Sequence, residues 1–309
     1  MRKSILLGII ISLILVIASC KKTSTANPSN PTGPRLIFVY KMDSTQARLD
    51  NFGNVAGMAS GHWGQSPAFH IMGVHYIEMD TSAYIQLGGG TVLYMTPTLI
   101  HGTDTAIDFT QEAKGNTGDT IYSVSLKNVK AGNYQYLRVS LAYQNYDVTF
   151  RIDTPNYNGI AIHQDFPCTI ASFIGVNTYI TNYTIKTQSI AVNGSKKQGY
   201  WGAEELITLP GFSQTYTQTG QAQSTTVVNP LFATSSIPLG SCVVTGAFSP
   251  TNLLITGNET QDIVITVSLS TNKSFEWVDA NGNQKWDALN ANEPVVDMGV
   301  RGMIPIIGH

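Results

Sequence analysis

The chain has 309 residues, room for one elaborate domain or two small ones, which excludes a peptide hormone or a knottin. Charged residues make up 12%, against roughly 25% in ordinary soluble domains, so the surface must be drawn from neutral Ser, Thr, Asn, Gln, Gly and Tyr. A formal net charge of −2, with no basic cluster beyond the start of the chain, removes the electrostatic footprint that nucleic-acid binding needs.

Met1-Arg2-Lys3 supplies a short positive stretch, and an apolar run from Ile5 to Ala18 follows, broken only by Gly8 and Ser12. At ~1.5 Å per residue this run covers about 21 Å, short of the ~30 Å hydrocarbon layer, so it has the shape of an export signal and not of a membrane span. Ile17-Ala18-Ser19-Cys20 closes it and resembles a lipobox. The resemblance implies a lipoprotein signal peptide over residues 1–19, removed ahead of a fatty-acylated Cys20 (palmitate or a similar chain). Two or three acyl chains at ~0.8 kcal/mol per buried CH₂ would hold the protein to a lipid bilayer without spanning it. Residues 20–34 are low in apolar side chains and rich in Pro, Ser, Thr and Asn, which predicts a flexible tether. Cys-Lys-Lys followed by such a tether resembles lipoproteins of the Bacteroidetes. That implies a place in the cell envelope at the outer membrane, on its periplasmic face or at the cell surface.

From Arg35 onward, short alternating runs are separated by Gly, Asn, Asp and Pro, with no sustained period of 3.6. In chain order the first strands are predicted at Leu36 to Lys41, Ala68 to Met79, Thr91 to Met95, Thr120 to Leu126 and Tyr134 to Tyr143. Asp147 to Ile152, Ile160 to His163, Ile170 to Val176 and Tyr183 to Ile190 follow. The last are Thr225 to Val228, Cys242 to Phe248, Leu253 to Ile255, Asp262 to Leu269 and Phe275 to Val278. Many short strands with turn residues between them predict an all-β fold, an antiparallel β-sandwich with long loops over residues 35–309. A second domain would divide from the first near residues 153–159 or 193–202. Leu137, Val139, Leu141 and Tyr143 should face the core while Tyr136, Arg138, Ser140 and Ala142 face a partly wet side. Ile263, Ile265, Val267 and Leu269 repeat the inward pattern. Cys168 and Cys242 could pair in an oxidising compartment, closing a loop of about 75 residues for roughly 4 kcal/mol, or remain two buried thiols.

The sharpest local pattern is Asp279, Asn281, Asn283, Lys285 and Asp287, with Asn290 and Glu293 beyond. Oxygens at alternate positions of a tight loop suit calcium, which takes about six to eight of them at about 2.3–2.6 Å. Asp279, Asn281 and Asn283 would offer side-chain oxygens, Lys285 its carbonyl, Asp287 a direct or water-bridged contact, and Glu293 the closing carboxylate. The segment resembles the calcium loops of EF-hand-like and dockerin-like proteins, but Gly282 is fourth and not sixth, and Asn290 stands at position twelve. An Asn-Gly turn with polar decoration would need no metal. A second cluster, His62, His70, Met72 and His75 with Met58, Met79 and His101 nearby, offers imidazole and thioether, a set suited to copper. Core-filling Met and scattered polar His beside Trp63 account for it without a metal.

Val124 to Val139 (VSLKNVKAGNYQYLRV), read as strand, Val-x-Ala-Gly-x-Tyr turn and strand, resembles a hairpin of MbnP-like periplasmic proteins, copper-associated β-sandwiches. The Leu253 to Leu269 segment, read as a strand pair, adds to the likeness, which implies a copper-binding role without assigning ligands. No Gly-x-Ser-x-Gly elbow, phosphate-cradling loop or Cys-x-x-Cys appears. Glu204-Glu205 beside Trp201 is the tempting carboxylate pair, yet neighbours on a strand face opposite ways and cannot flank one glycosidic bond. Tyr134, Tyr136, Tyr143 and Tyr146 would make a sugar-stacking platform if exposed. The sequence therefore predicts a membrane-anchored, non-catalytic binding or structural protein supported by calcium. Copper binding and a glycan-binding or glycan-active surface role are the alternatives, and a protein ligand is open.

Overall fold

The computed structural model describes residues 33–102, 104–157, 159–222, 229–234, 241–290 and 292–308. The expected signal peptide, most of the tether with Cys20, and the strand expected at Thr225 to Val228 lie outside them. Among the described residues there is no α-helix, and no helix long and apolar enough to cross a membrane.

The chain is all-β and sandwich-like. It opens with β1 (Arg35–Asp43), β2 (His62–Gln65), β3 (Ala68–Asp80), β4 (Thr91–Met95), β5 (Thr98–His101), β6 (Asp104–Asp108) and β7 (Ala113–Gly115). It continues through β8 (Thr120–Ser125), β9 (Gly132–Tyr134), β10 (Tyr136–Tyr157), β11 (Ile160–Phe173), β12 (Asn177–Thr184), β13 (Ser189–Lys197) and β14 (Tyr200–Leu209). The last third holds β15 (Phe212–Gln221), β16 (Cys242–Ala247), β17 (Leu253–Ile255), β18 (Ile263–Ser270), β19 (Phe275–Val278), β20 (Val295–Met298) and β21 (Met303–Gly308).

The largest sheet runs β15-β14-β11-β10-β3-β4, with β16 continuing along the β11 side of β10 and β7 pairing with β3. A four-stranded sheet runs β21-β18-β1-β8, another β13-β12-β6-β5, β2-β19-β20 makes a three-stranded sheet, and β9 pairs with β17. Most pairings are antiparallel, but β1 lies parallel to β18 and β6 parallel to β12, so the expectation of a purely antiparallel fold is corrected at two places. Segments far apart in sequence can pair this way because the intervening chain supplies the long crossover a parallel pair demands.

The inward residues follow the alternation. Leu137, Val139 and Leu141 of β10 and Ile265, Val267 and Leu269 of β18 are fully buried in one core with Leu36, Phe38, Phe275 and Trp277. Each such aliphatic side chain contributes about 1.5–3 kcal/mol by leaving water. The other face of β10 was expected to be partly wet, and it is not. Arg138, Ser140 and Ala142 are also fully buried, because β10 is the central strand and is covered on both faces. Arg138 is compensated there by Glu78 at 3.0 Å and Asp80 at 3.1 Å, and burial pushes the Asp80 carboxyl up to about 7.

Several boundaries differ from the alternation pattern. Tyr134 to Tyr143 and Asp147 to Ile152 are largely parts of the single strand β10, whose pairing with β3 shifts register near Leu141 and Asn145. Ile160 to His163 and Ile170 to Val176 likewise fall largely in β11. Tyr183 to Ile190 is no strand but straddles the β12–β13 turn, where the Ile185 amide donates to the Gln188 carbonyl. Residues 153–159 lie at the β10–β11 hairpin, and residues 193–202 span the passage from β13 to β14, which belong to different sheets.

Candidate functional site

β19 and β20 pair antiparallel, Glu276 opposite Asp297, so the chain between Val278 and Val295 must leave the sheet and return beside itself. Gly282 takes φ +72°, a conformation that glycine adopts without the clash a side chain would bring, and lets the loop curl. The short polar side chains then bond locally. Asn281 Oδ1 accepts the Asn283 amide at 2.9 Å, and Asn283 Oδ1 accepts the Lys285 amide at 2.7 Å, two successive Asx turns. The Asp279 carboxylate accepts the Gln284 amide at 3.2 and 3.3 Å and closes the neck.

Asp287 and Glu293 form the centre. Both Asn281 and Asn283 donate side-chain N–H groups to Asp287 Oδ2, at 2.6 and 2.9 Å. Glu293 Oε2 accepts the Asp287 amide at 3.1 Å, while Oε1 accepts from Asn290 Nδ2 at 3.3 Å and the Asn281 amide at 3.4 Å. Asp287 is 5% exposed and Glu293 2%, and Asp287 Oδ1 has no hydrogen-bond partner. Among the described residues no Lys, Arg or His forms an ion pair with either carboxylate. The loop's cation, Lys285, instead reaches Asp165 at 2.6 Å. Arg151 donates its amide to the Trp286 carbonyl at 2.7 Å, and the Trp286 ring meets Phe275 edge-on, so the loop is fastened to β10 and the core.

Of the six residues expected at a calcium loop, Asn281, Asn283, Asp287 and Glu293 therefore form one network. Asp279 joins at the neck, and the Lys285 side chain leaves. Among the described residues no group of three or more His, Cys, Asp or Glu gathers closely enough to hold a metal. The loop is consistent with this because half of its donors are amides. A half-turn of each asparagine amide exchanges its N–H₂ for its oxygen, which would convert two donors to Asp287 into two ligands at the cost of the two Asx-turn bonds.

The His/Met set is not brought together. His62, on β2, hydrogen-bonds Glu276 Oε1 through Nδ1 at 2.7 Å, and Glu276 also binds Arg301 at 2.8 Å and Arg48. His70 pairs with Asp147 at 3.1 Å near the surface. Met72 is fully buried in the core. His75 is buried with neither ring nitrogen partnered, and desolvation pushes its imidazole down to about 4. Cys168 and Cys242 are buried free thiols, which corrects the disulfide expectation. They sit opposite Val148 and Leu141 of β10, seven positions apart, or roughly 20 Å along a strand and far beyond disulfide reach.

The tyrosine platform is overturned as well: Tyr134, Tyr143 and Tyr146 are buried and only Tyr136 is partly open. The Glu204 carboxylate accepts amides of Lys186, Thr187 and Gln188, whereas Glu205 lies on the other face of β14 beside Gln218. Val124 to Val139 is not a hairpin, since β8 pairs with β1 and β10 with β3, β11 and β16. Leu253 to Leu269 is not a strand pair, because β17 pairs with β9 and β18 with β1 and β21. The chain matches no protein-family model, no curated protein and no solved structure.

Proposed function

We propose that the chain is an exported, lipid-anchored envelope protein whose β-sandwich is a non-catalytic binding or structural module, with one calcium ion held in the 279–293 loop. The observation that carries the calcium reading is the pair Asp287 and Glu293. Two buried carboxylates share a loop with no protein cation at either, and one carboxylate oxygen lacks any partner. Burying such charge uncompensated is costly, and a hard divalent cation coordinated by these oxygens and the Asn281 and Asn283 amides removes the cost. The anchoring reading rests on the positive start, the short apolar run and Cys20.

The test is thermal unfolding of the full chain stripped with chelator and titrated with calcium. The melting temperature should rise in the wild type and stay flat in Asp287→Ala. Equal melting in chelator and calcium for the wild type would reject the ion. Elemental analysis of the same protein after metal exchange separates the alternatives, since copper in place of calcium would favour the His/Met reading. Mass spectrometry of the protein from its native envelope should find residues 1–19 gone and acyl chains on Cys20. An intact Met1 without acyl mass would reject the anchor.

A further inference from the structure

β14 alternates strictly. Trp201, Ala203, Glu205, Ile207 and Leu209 share one face, with Gly202, Glu204, Leu206 and Thr208 on the other. The first face is the floor of a cleft that the structure leaves partly uncovered where the large sheet runs out beyond its core. Ile170 of β11 extends the floor, and Gly220 of β15 allows the Trp201 indole to lie across it: a Cβ there would stand 2.5 Å from the ring. The opposite wall is the returning loop, through Trp286 and Leu289, and β20, through Val295 and Met298.

The cleft has two chambers that meet at Glu205 and Gln218. The inner one, about 320 Å³, lies between Trp201 and Trp286, and the outer one, about 510 Å³, between Ile207 and Leu289. Both sizes fall in the range of small-molecule sites. The outer mouth carries large apolar side chains in water, with Leu289 70%, Ile160 56% and Phe212 41% exposed. Apolar side chains grouped in this way around a cavity mark an apolar ligand.

Charge narrows the ligand further. Among the described residues, the two linings carry the carboxylates of Glu205 and Asp297 and the phenol of Tyr216, and no Lys, Arg or His. Asp297 is already paired with Arg301 at 2.8 Å. Glu205 has only the Gln218 amide, and burial pushes its carboxyl up from its ordinary value. An apolar channel with one uncompensated carboxylate at its waist selects a ligand that is apolar along its length and cationic, or at least hydrogen-bond donating, at one point.

We propose that this cleft binds a single-chain cationic amphiphile of the long-chain amine class, its tail between Trp201 and Trp286 and its ammonium on Glu205. The proposal gives the binding reading its ligand class and rests on it, but it does not depend on calcium. The experiment uses the full chain and the fluorescence of N-phenyl-1-naphthylamine, a neutral apolar probe, in calcium and in chelator. Whatever apolar leader or acyl chain the purified chain carries adds the same background to every variant, so differences between variants carry the result.

The wild type should enhance the probe, and dodecylamine should displace it at about tenfold lower concentration than dodecanoate. Glu205→Gln should erase that preference while leaving the neutral probe bound. Ala203→Phe, which fills the inner chamber, should weaken the probe itself. Failure of the wild type to enhance the probe above the Ala203→Phe level, or displacement by dodecanoate as readily as by dodecylamine, overturns the proposal. So does a sedimentation result in which the chain dimerises and loses probe binding as it does, which puts a second copy in the cleft. A flat calcium response alongside the amine preference would reject the ion and leave the cleft standing.

Discussion

The 279–293 loop and strand β3 each carry several metal-capable side chains within about fifteen residues, and they dispose of them in opposite ways. On the loop, Asn281, Asn283, Asp287 and Glu293 turn toward one another, because short polar side chains in tight turns bond to the nearest backbone groups and have nowhere else to point. On β3, His70 goes to Asp147 at the surface while Met72 and His75 go into buried layers; a regular strand would put His70 and Met72 on one face, but the register with β10 skips His70 between Phe69 and Ile71, and that bulge turns it toward different neighbours. Local spacing thus fixes convergence on a loop. On a strand it fixes only the face, and the partners come from elsewhere in the chain.

This contrast can be broken or sharpened by measurement. The largest effect should come from His75. Its imidazole is held neutral by burial, with the folded state binding a proton only near pH 4 and the unfolded state near 6.5. Because the unfolded state takes up the proton first, stability is intact above about pH 6.5 and falls as the pH drops toward 4, by roughly 3 kcal/mol over the window. Urea unfolding between pH 7 and pH 4 should show that loss as the difference between the wild type and His75→Leu, because the buried Asp80 carboxyl, raised to about 7, takes up its proton first in the folded state and works in the opposite direction in both proteins. Identical acid profiles would mean that the ring is solvated or partnered.

Next in size is the loop. Calcium at about a hundred times its dissociation constant should stabilise the protein by about 2.7 kcal/mol, and Asp287→Ala should abolish that gain without affecting the acid profile of His75. Smaller still is Met72→Leu, a volume-conserving change in the core that should cost less than about 1.5 kcal/mol and leave metal content unchanged. A loss of bound copper in this variant would instead show the strand acting as a metal site. Least of all, His70→Ala should cost under about 1 kcal/mol, because its pair with Asp147 is solvent-screened. Both substitutions are read from urea midpoints and elemental analysis.

The same distinction explains what was legible in the sequence. Strands such as β1, β18 and β19 were readable because one face meets the core and writes an apolar alternation. β15, with Gln214, Thr215, Thr217 and Gln218, has no such record: it is an edge strand held by its backbone ladder to β14, and it resembles a polar loop. β14 does alternate, but the adjacent charges of Glu204 and Glu205 interrupt the apolar row in which Glu205 stands. Arg138 looked like a wet-side residue because nothing nearby in sequence announces that Glu78 and Asp80 will meet it from β3. The convergence of Asn281, Asn283, Asp287 and Glu293 was legible for the opposite reason, since these four bond to one another within fifteen residues.

β1 is the first described strand, and it sits inside its sheet, bonded along one edge to β18 and along the other to β8. A pull arriving at Arg35 from the preceding chain would act along the strand axis. It would load both ladders in shear and strain many hydrogen bonds at once, where a hairpin at a sheet edge would give way one rung at a time. Single-molecule stretching from that end should therefore meet high resistance before the first rupture.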